Sequence, residues 1–476
     1  MPTTTEKIML YPDQQMVHDQ ALSFIISEPR IYPFCVIKGF AGTGKSTTTT
    51  QLIQSSLKSR PSWAIGVAAP THKAIKHLRK SAIKGISYRT IHSFLKVKEM
   101  ENHNTGQVEF KPDLYDKNPP PIASLDVLFL DETSMLNKSL WEFMVPYMKE
   151  GLKVVFIGDA GQIPPVGEID SIPFLHGGEW GALVLELTEV RRQALDSPII
   201  ELATEVRRSL KKGNPPARAK LTDQLEGVQV IEPGSTQEAS ILSMFATQEF
   251  SHNIDLVKVI AWQNKTVDAF NRRIRQIIYP GINPLPGLMQ EEKIIMDKPY
   301  QINAQRSIAT NEELEVLEVN PANRVISWTD GNGYTGEISI KTWLASVLYM
   351  ENQQECTATF HVVHEQDMAR FKKMVADSRS FALKGGAMKG QHWREFFDLP
   401  KKFGWINYNY AITAHKAQGS TYDHALIIKS CMDDMVMYAE RSKYISQRDL
   451  EIAIETRNRL YYTAITRPRK NLYIEL

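Results

Sequence analysis

At 476 residues, with 42% hydrophobic and 23% charged residues, the chain has the composition of a globular protein of two to four domains, which argues against long disordered segments. Its three cysteines (Cys35, Cys356 and Cys431) lie far apart and form no CxxC pair, which argues against a disulfide framework or a zinc cluster. No apolar run approaches the roughly 20 residues that cross a bilayer, and the first residues lack a signal-peptide core, so we expect a cytoplasmic protein without a membrane partner.

Charge is distributed unevenly along the chain. The net charge is only +2, but residues 1–100 hold 14 Lys and Arg against 5 Asp and Glu. Basic residues gathered near one site can follow phosphates without a high overall pI. A solvated helix face would produce the same excess, so charge alone leaves a polyanion partner and a plain surface equally open.

Short apolar runs in the first part of the chain predict buried parallel strands. They are continuously apolar rather than alternating, and helical stretches separate them, which is typical of βαβ units. The runs lie at 34–39, 63–70, 125–132 and 153–159. We therefore predict a first α/β domain over residues 1–183, with a hairpin insertion at about 96–121.

Similar apolar runs return at 256–262, 424–430 and 471–476, and they predict a second α/β domain built from residues 184–280 and 401–476. The intervening residues, 281–400, have a different pattern. Short strand-like segments flank the turn sequence Thr-Asp-Gly-Asn-Gly-Tyr-Thr-Gly, which favours antiparallel strands joined by tight turns. A small β-barrel inserted into the second domain is the expected result.

The strongest chemical motif is the segment Gly39–Ser46, which reads Gly-Phe-Ala-Gly-Thr-Gly-Lys-Ser and fits the pattern GxxxxGK[ST]. It follows a predicted strand and precedes a predicted helix, so a merely glycine-rich turn is a poor alternative. Glycines allow backbone N–H groups to turn around a polyphosphate, Lys45 can reach the β and γ phosphates, and Ser46 can ligate Mg²⁺. This segment predicts a phosphate loop for ATP.

A second motif, Val127–Glu132, is an apolar strand that ends in two carboxylates. Asp131 is the expected ligand of hydrated Mg²⁺, and Glu132 is the expected general base for the attacking water. An acidic pair that simply opens a loop is common, but the phosphate loop makes a nucleotide-hydrolysing site the better interpretation.

Four further segments follow in a fixed order, and together with the first two they resemble superfamily 1 helicases, in particular the RecD-like branch. They are Gly158–Val166, Leu187–Arg192, Ala414–Ser420 and Tyr461–Arg467. The resemblance covers most of the chain but is thin over 280–400. It implies an α/β fold with two RecA-like P-loop domains that contain parallel sheets, a β-hairpin insertion in the first domain and a β-barrel-like insertion in the second.

The resemblance also assigns nucleotide-site residues. Gln14 stands where the family reads adenine, although Gln15 beside it leaves the register open. Gln162 matches the γ-phosphate sensor, while Arg192 and Arg467 match guanidinium groups donated by the second domain, which suit the charge on a transferring phosphoryl group. A surface ion pair is the alternative for each arginine. The nucleotide-binding set is Gln14, Gly39, Gly42, Thr43, Gly44, Lys45, Ser46, Thr47 and Gly419.

Nucleic-acid contacts are expected on the other side of the same domains. Backbone N–H groups and hydroxyls can hold phosphates, and aromatic rings can stack on bases without reading sequence. Helix packing is the alternative for Phe94. The candidates in the two domains are Pro70, Thr71, His72, Lys73, Thr90, His92, Phe94, His415 and Lys416.

Strand separation requires a wedge. The predicted hairpin stands where the resemblance implies a pin, and Phe110 is its candidate for stacking on the end base pair, with packing on its own domain as the alternative. In the inserted region, Trp393 and Phe397 resemble an aromatic cluster that faces single strand.

Together these features predict an ATP- and Mg²⁺-dependent DNA helicase that moves 5′ to 3′ on single strands and acts at single-strand/duplex junctions. Both the polarity and the preference for DNA are implied by the resemblance alone. Two alternatives are open: a translocase subunit that depends on a partner for the wedge, and a P-loop switch that uses nucleotide only for conformation. Replication or recombination proteins, such as a single-strand-binding protein, are the expected protein partners.

Overall fold

The computed structural model describes residues 9–28, 31–103, 105–113, 118–190, 197–303, 306–351, 354–441 and 445–476. Its α-helices are α1 (Pro12–Ile26), α2 (Lys45–Ser59), α3 (His72–Arg79), α4 (Ile91–Leu95), α5 (Lys138–Lys149), α6 (Ile172–His176), α7 (Pro198–Arg208), α8 (Thr236–Ser243), α9 (Gln248–His252), α10 (Asn264–Ile278), α11 (Glu365–Lys384), α12 (Lys389–Lys401), α13 (Ala414–Ala417), α14 (Lys429–Arg441) and α15 (Gln447–Ile465). Among the described residues, no helix is both long enough and apolar enough to cross a membrane.

The strands of the described residues form three larger sheets and two small hairpin sheets. They are β1 (Cys35–Gly39), β2 (Ile65–Ala69), β3 (Ser87–Thr90), β4 (Val97–Glu101), β5 (Val108–Pro112), β6 (Val127–Leu130), β7 (Lys153–Gly158), β8 (Leu183–Leu187), β9 (Lys220–Leu221), β10 (Gly227–Ile231), β11 (Val257–Ala261), β12 (Lys293–Met296), β13 (Tyr300–Gln301), β14 (Ser307–Ile308), β15 (Glu313–Thr329), β16 (Thr335–Glu351), β17 (Gln354–Val363), β18 (Ile406–Tyr408), β19 (Ala411–Thr413), β20 (Tyr422–Ile428) and β21 (Pro468–Glu475).

The first sheet, with its flanking helices, is the first lobe. Its strand order is β3-β2-β6-β7-β1-β8, and all of its pairings are parallel. Alternate residues of one strand enter two different cores: Val36 packs in one, Cys35 and Ile37 in the other. Burial on both faces explains why the strands read as continuous apolar runs. The predicted strands are found, and β8 crosses the predicted domain boundary at residue 183.

The second sheet, with its helices, is the second lobe. Its order is β19-β11-β20-β21-β10-β9, with parallel pairing of β20 to both β11 and β21 and of β10 to β21. Only the short strand β9 is described as antiparallel to its neighbour. The two α/β lobes with parallel sheets confirm the predicted fold class. Strand β10 has no counterpart among the predicted runs.

The inserted region contains an antiparallel sheet of order β17-β16-β15-β12-β18. The predicted turn joins β15 to β16, and the Asp330 backbone N–H donates to the Tyr334 carbonyl over 2.9 Å. Gly404, before β18, donates to the His361 carbonyl in β17, so one hydrogen bond links the two ends of the sheet as in a barrel. Helices α11 and α12, which the strand pattern did not predict, pack beside the β15–β16 hairpin.

By internal contacts the chain divides into two compact units. One comprises Met1–Val97, Pro112–Asp268 and Ile412–Leu476, and therefore holds most of both lobes. The other comprises Lys98–Lys111 and Ala269–Ala411. The predicted pin hairpin therefore groups with the inserted region.

Candidate functional site

The phosphate loop lies between β1 and α2, as the sequence predicts. Gly42 and Gly44 have φ angles of 81° and 82°, which side-chain-bearing residues rarely adopt, so these glycines allow the loop to curve. The Lys45 ammonium donates to the carbonyls of Gly39 and Phe40 over 2.8 and 3.1 Å and thus lies across the loop. Ser46 is exposed in the first turn of α2, where helix N–H groups and the dipole favour an anion.

Gln14 is buried against the phosphate loop. Its side-chain N–H donates to the Thr43 carbonyl over 3.1 Å, and its side-chain oxygen accepts from the Tyr11 N–H. Gln15 instead is exposed and pairs with Asp19. The geometry favours Gln14 for the family motif, and both halves of its amide are already engaged by the protein, so it supports the loop directly.

The acidic pair follows β6. The Asp131 N–H donates to the Ala68 carbonyl, and the Glu132 N–H donates to the Asp131 carboxylate over 2.8 Å. Burial raises the pKa of both carboxyls, and Asp131 raises that of Glu132 further, while the positive charges of Arg467 and Lys45 lower it. Glu132 has a φ of 52°, an uncommon backbone conformation for a residue with a side chain. Glu132 therefore interacts electrostatically with Asp131 and with both cations.

The loop after β7 connects the two lobes. Gln418 donates its side-chain N–H to the Ile163 carbonyl, and the Ile163 N–H donates to the Thr463 hydroxyl over 3.2 Å. Within this loop, the side-chain oxygen of Gln162 is buried and has no hydrogen-bond partner among the described residues. An orphaned acceptor of this kind fits a group that binds water or a ligand.

Arg467 comes from the second lobe and is buried. Its guanidinium donates to the carbonyls of Thr463 and Ser420 and to the Thr466 hydroxyl. These bonds fix the side chain while its charge still acts on Glu132. The charges of Lys45 and Arg467 thus act on the same carboxyl, and the pairing of the two side chains around one nucleotide stays a prediction. Arg192 lies outside the described residues.

The residues present fit a magnesium nucleotide. The exposed Ser46 hydroxyl and the Asp131 carboxylate are hard oxygen donors of the type that Mg²⁺ takes, and Lys45 supplies a cation for the phosphates. Thr47 lies in the first turn of α2. Gly419 lies against the start of α3, because a Cβ at this position would lie 3.3 Å from the Ala74 side chain. Its assignment as a nucleotide-binding residue stays a prediction.

Several of the residues predicted to contact nucleic acid lie at the N-terminal ends of helices α3 and α4. Pro70 lies two residues before the start of α3. The Thr71 hydroxyl accepts from the Ala74 N–H and caps α3, and the Thr90 hydroxyl accepts from the Ser93 N–H and caps α4. Burial lowers the pKa of His72 and of His92, and the charge of His72 lowers that of His92 further. The two imidazoles therefore lie close enough to interact electrostatically.

Lys73, Lys416 and His415 extend this group. The Lys73 ammonium lies 5.2 Å from the ring centroid of Tyr422 in the second lobe. Lys416 and His415 lie in α13, and burial lowers the pKa of His415. Phe94 does not belong to this surface. It is 0% exposed and packs in the first-lobe core, so the alternative of helix packing is correct for this side chain.

The hairpin β4–β5 meets the aromatic cluster of α12. Phe110 is 53% exposed, as a wedge requires. Trp393 and Phe397 are 1% and 7% exposed, and His103 of the hairpin packs edge-on against Phe397 at 5.4 Å between ring centroids. The prediction that Trp393 and Phe397 face single strand is wrong for this structure, because other side chains and the hairpin cover the rings.

Comparison with known proteins places these motifs among relatives. Residues 17–232 match the family model described as an AAA domain. The ATP-dependent DNA helicase dda of Enterobacteria phage T4 is 28% identical over 449 residues, which is 92% of this chain and 93% of the phage protein. The chain is therefore similar to Dda over nearly the full length of both proteins.

Two other comparisons involve a more limited match or a distant structure. The ATP-dependent RecD2 DNA helicase of Deinococcus radiodurans is 32% identical over 168 residues, 35% of this Dda-like chain and 21% of RecD2. The crystal structure of the Pif1 helicase from Bacteroides in complex with ADP-AlF3 and ssDNA aligns with 98% of the Dda-like chain and 92% of its own chain, at 16% identity and a TM-score of 0.47.

Arg207 and Tyr462 are two further residues of the Dda-like chain that contact the phosphate loop and to which sequence reasoning gave no role. Arg207 lies at the end of α7, and its guanidinium carbon is 5.3 Å from the ring centroid of Phe40 in the phosphate loop. The Tyr462 hydroxyl accepts from the Ala41 N–H in the same loop over 3.4 Å. The apolar spacing of α7 indicates its buried face, but it does not show that Arg207 reaches another lobe.

Proposed function

We propose that this chain is an ATP-dependent DNA helicase that moves 5′ to 3′ along single-stranded DNA and separates duplex DNA at junctions. The single observation that carries the proposal is the contact of the second lobe with the phosphate loop, in which the Tyr462 hydroxyl accepts from the Ala41 N–H and donates to Asp159. In agreement with it, the charges of Lys45 and Arg467, from different lobes, both lower the pKa of Glu132. The Dda and RecD2 relatives, named as DNA helicases, support the choice of substrate. Their resemblance supports the polarity and a bacterial or phage-infected host cytoplasm.

The proposed chemistry assigns one role to each group. Lys45 and the loop N–H groups bind the β and γ phosphates, and Ser46 with Asp131 would hold Mg²⁺, which supplies positive charge at the phosphate oxygens. Glu132 takes a proton from the attacking water while the oxygen of that water forms a bond to the γ-phosphorus. The bond from that phosphorus to the β–γ bridging oxygen breaks, and ADP leaves. Arg467 stabilises charge on the transferring group, which makes turnover depend on the approach of the two lobes.

In this proposal, residues at the N-terminal ends of α3 and α4 and in α13 bind the sugar-phosphate backbone of the DNA. Lys73, beside Tyr422 of the second lobe, is a cation whose surroundings change when the lobes move. Contacts with phosphates and sugars do not depend on sequence, as a translocating enzyme requires. The exposed ring of Phe110 is the proposed wedge.

One experiment tests the function and its polarity. The purified chain is assayed for ATP hydrolysis with and without single-stranded DNA, and for displacement of strands from duplexes with a 5′ or a 3′ tail. We expect strong stimulation by single strand and displacement from the 5′ tail, with Lys45→Ala inactive in both assays. Displacement only from the 3′ tail would reverse the polarity. Stimulated hydrolysis without any displacement favours a translocase subunit, and turnover that ignores DNA favours a P-loop switch.

A further inference from the structure

Asp159, directly after β7, is the centre of a buried contact between the lobes. It is 1% exposed and accepts hydrogen bonds from the Gly161 N–H over 2.9 Å and from the Tyr462 hydroxyl over 2.6 Å. The Arg207 guanidinium pairs with the same carboxylate. Since Asp159 belongs to the first lobe and both side-chain donors belong to the second, this one carboxylate receives two side-chain contacts from the other lobe.

The same two donors also contact the phosphate loop. The Arg207 guanidinium carbon lies 5.3 Å from the Phe40 ring centroid and 6.0 Å from that of Tyr462. The Tyr462 hydroxyl, which donates to Asp159, accepts from the Ala41 N–H. A chain of contacts thus runs from Arg207 through Asp159 and Tyr462 to the second and third residues of the loop that cradles phosphate.

The surroundings of Arg207 are shaped for this contact. A Cβ on Gly161 would lie 2.3 Å from the guanidinium, so only glycine leaves room for the side chain as it stands. Burial lowers the pKa of Arg207, but the charge of Asp159 and the tyrosine beside it raise it, and the result is a raised pKa. The guanidinium remains charged, and its planar group can pair with the carboxylate while stacking on a ring.

Arg207 is linked to the catalytic arginine through Tyr462. Tyr462 lies in the last turn of α15, and Arg467 follows two residues after that helix ends. Because the two residues are five positions apart in one segment, we expect a shift of Tyr462 relative to Asp159 to move Arg467 as well. Arg207 itself pairs with Asp159 rather than with the acidic pair, which separates its role from that of Arg467.

We propose that Arg207 is a positioning residue for ATP turnover: by holding Asp159 and Tyr462 together, it sets the Phe40–Ala41 part of the phosphate loop and the approach of Arg467. This inference rests on the proposed ATPase function. Arg207 acts through other groups, so its loss should slow turnover more than it weakens ATP binding, which depends on Lys45 and the loop N–H groups.

The test compares Arg207→Gln and Arg207→Lys with Arg208→Gln, a matched control at the exposed neighbouring position of α7. Single-strand-stimulated kcat should fall by about ten- to a hundredfold in Arg207→Gln, as expected for loss of a charged hydrogen bond. The KM for ATP should change by less than about threefold, because uniform binding is retained. Arg207→Lys, which keeps the charge but not the planar stack, should recover part of kcat. Arg208→Gln should match the unmodified chain.

A double-mutant cycle with Tyr462→Phe gives an independent readout. If both side chains act through Asp159, the double variant should lose little more kcat than Arg207→Gln alone. Multiplicative losses would overturn the inference, and so would a KM increase larger than the fall in kcat, which would make Arg207 a phosphate-binding residue. Tyr462→Phe with normal kcat would also overturn it, even if Arg207→Gln failed to fold.

Failure of the inference can be separated from failure of the function. If the unmodified chain shows no ATP hydrolysis with single strand, the proposed function is wrong and the inference falls with it. If the unmodified chain is active and Arg207→Gln equals Arg208→Gln, only the inference is wrong. Thermal unfolding of each variant, measured in parallel, distinguishes a slow folded enzyme from an unfolded one.

Discussion

The carboxyl of Glu132, whose pKa is raised by burial and by Asp131, lies within the electrostatic reach of Arg467, whose positive charge lowers that pKa. The net effect is a raised pKa, so the proposed base gains its proton at a higher pH than an ordinary glutamate does. Charge from the second lobe opposes this effect. The basicity and the ionisation of Glu132 thus depend on the position of Arg467.

Arg467→Gln should change both the rate and the pH dependence of ATP hydrolysis. Loss of a phosphate-facing guanidinium should lower kcat by about a thousandfold or more. The base works only when deprotonated, and removal of the cation raises the pKa of Glu132 further, so the acid limb of kcat/KM should move to higher pH. Phosphate release measured from pH 5 to 9 checks this, with the nearby exposed Arg469→Gln as control. An acid limb that stays in place would contradict the pairing.

Gly106→Ala should damage strand separation through the hairpin. Gly106 has a φ of 72°, and a Cβ there would lie 2.0 Å from the Trp393 ring. Gly85→Ala is the matched control, because Gly85 has a φ of 88° but open space around it. The positive φ alone should destabilise each variant by about 1 kcal/mol, and the overlap with Trp393 adds to this cost in Gly106→Ala. Only Gly106→Ala should slow strand displacement while single-strand-stimulated ATPase activity persists, and equal displacement by both variants would show that the contact is unimportant.

The ion pair between Lys401 of α12 and Glu101 of the hairpin should contribute to the same coupling. The ammonium and the carboxylate are 2.7 Å apart, with side-chain exposures of 55% and 17%. Lys401→Glu places like charges together and should slow strand displacement by up to about fivefold, the size expected for a partly exposed pair. Glu101→Lys combined with Lys401→Glu should restore part of the rate, because Asp398, which also pairs with Lys401, then faces a like charge. ATP hydrolysis should remain constant throughout, and a swap that restores nothing would contradict a role for this pair.

The buried pair of Arg275 and Glu292 should dominate the stability of the inserted unit. Their side chains are 5% and 0% exposed, and Glu292 also accepts from the Met289 N–H over 2.9 Å. Glu292→Ala leaves a buried guanidinium without its counter-ion and should lower the free energy of unfolding by about 3–5 kcal/mol. Asp377→Ala, which breaks a more exposed pair with Lys373, should change it by no more than about 1 kcal/mol. Urea denaturation of both variants measures the difference.

The local parts of the site could be predicted from sequence. A phosphate loop needs a strand, two positive-φ glycines and a helix start within one short segment, and the acidic pair needs only the end of a buried strand. The choice between Gln14 and Gln15 could not be made from the local sequence, because it depends on the burial of Gln14 against Thr43. The continuous apolar runs predicted the two lobes, but they did not predict β10 or the helices of the inserted region.

The errors concern aromatic and charged residues whose neighbours are distant in sequence. Phe94 and Trp393 are the same residue types that stack on bases, and nothing near them in the chain shows that a core or a hairpin covers them. Arg207 has an exposed arginine as its neighbour, so the sequence does not distinguish the partner of Asp159 from a surface charge. Tertiary contact, rather than composition, decides these cases.

The order of strands in the first sheet has a mechanical consequence. Strand β7 lies between β1, which leads to the phosphate loop, and β6, which leads to the acidic pair. The strands that lead to the phosphate loop and to Glu132 are therefore not neighbours in the sheet. The strand between them, β7, leads into the loop in which Asp159 and Ile163 are hydrogen-bonded to the second lobe. A displacement of β7 would therefore disturb the phosphate loop and the acidic pair at once. A displacement of β1 or of β6 would reach the other strand only through β7.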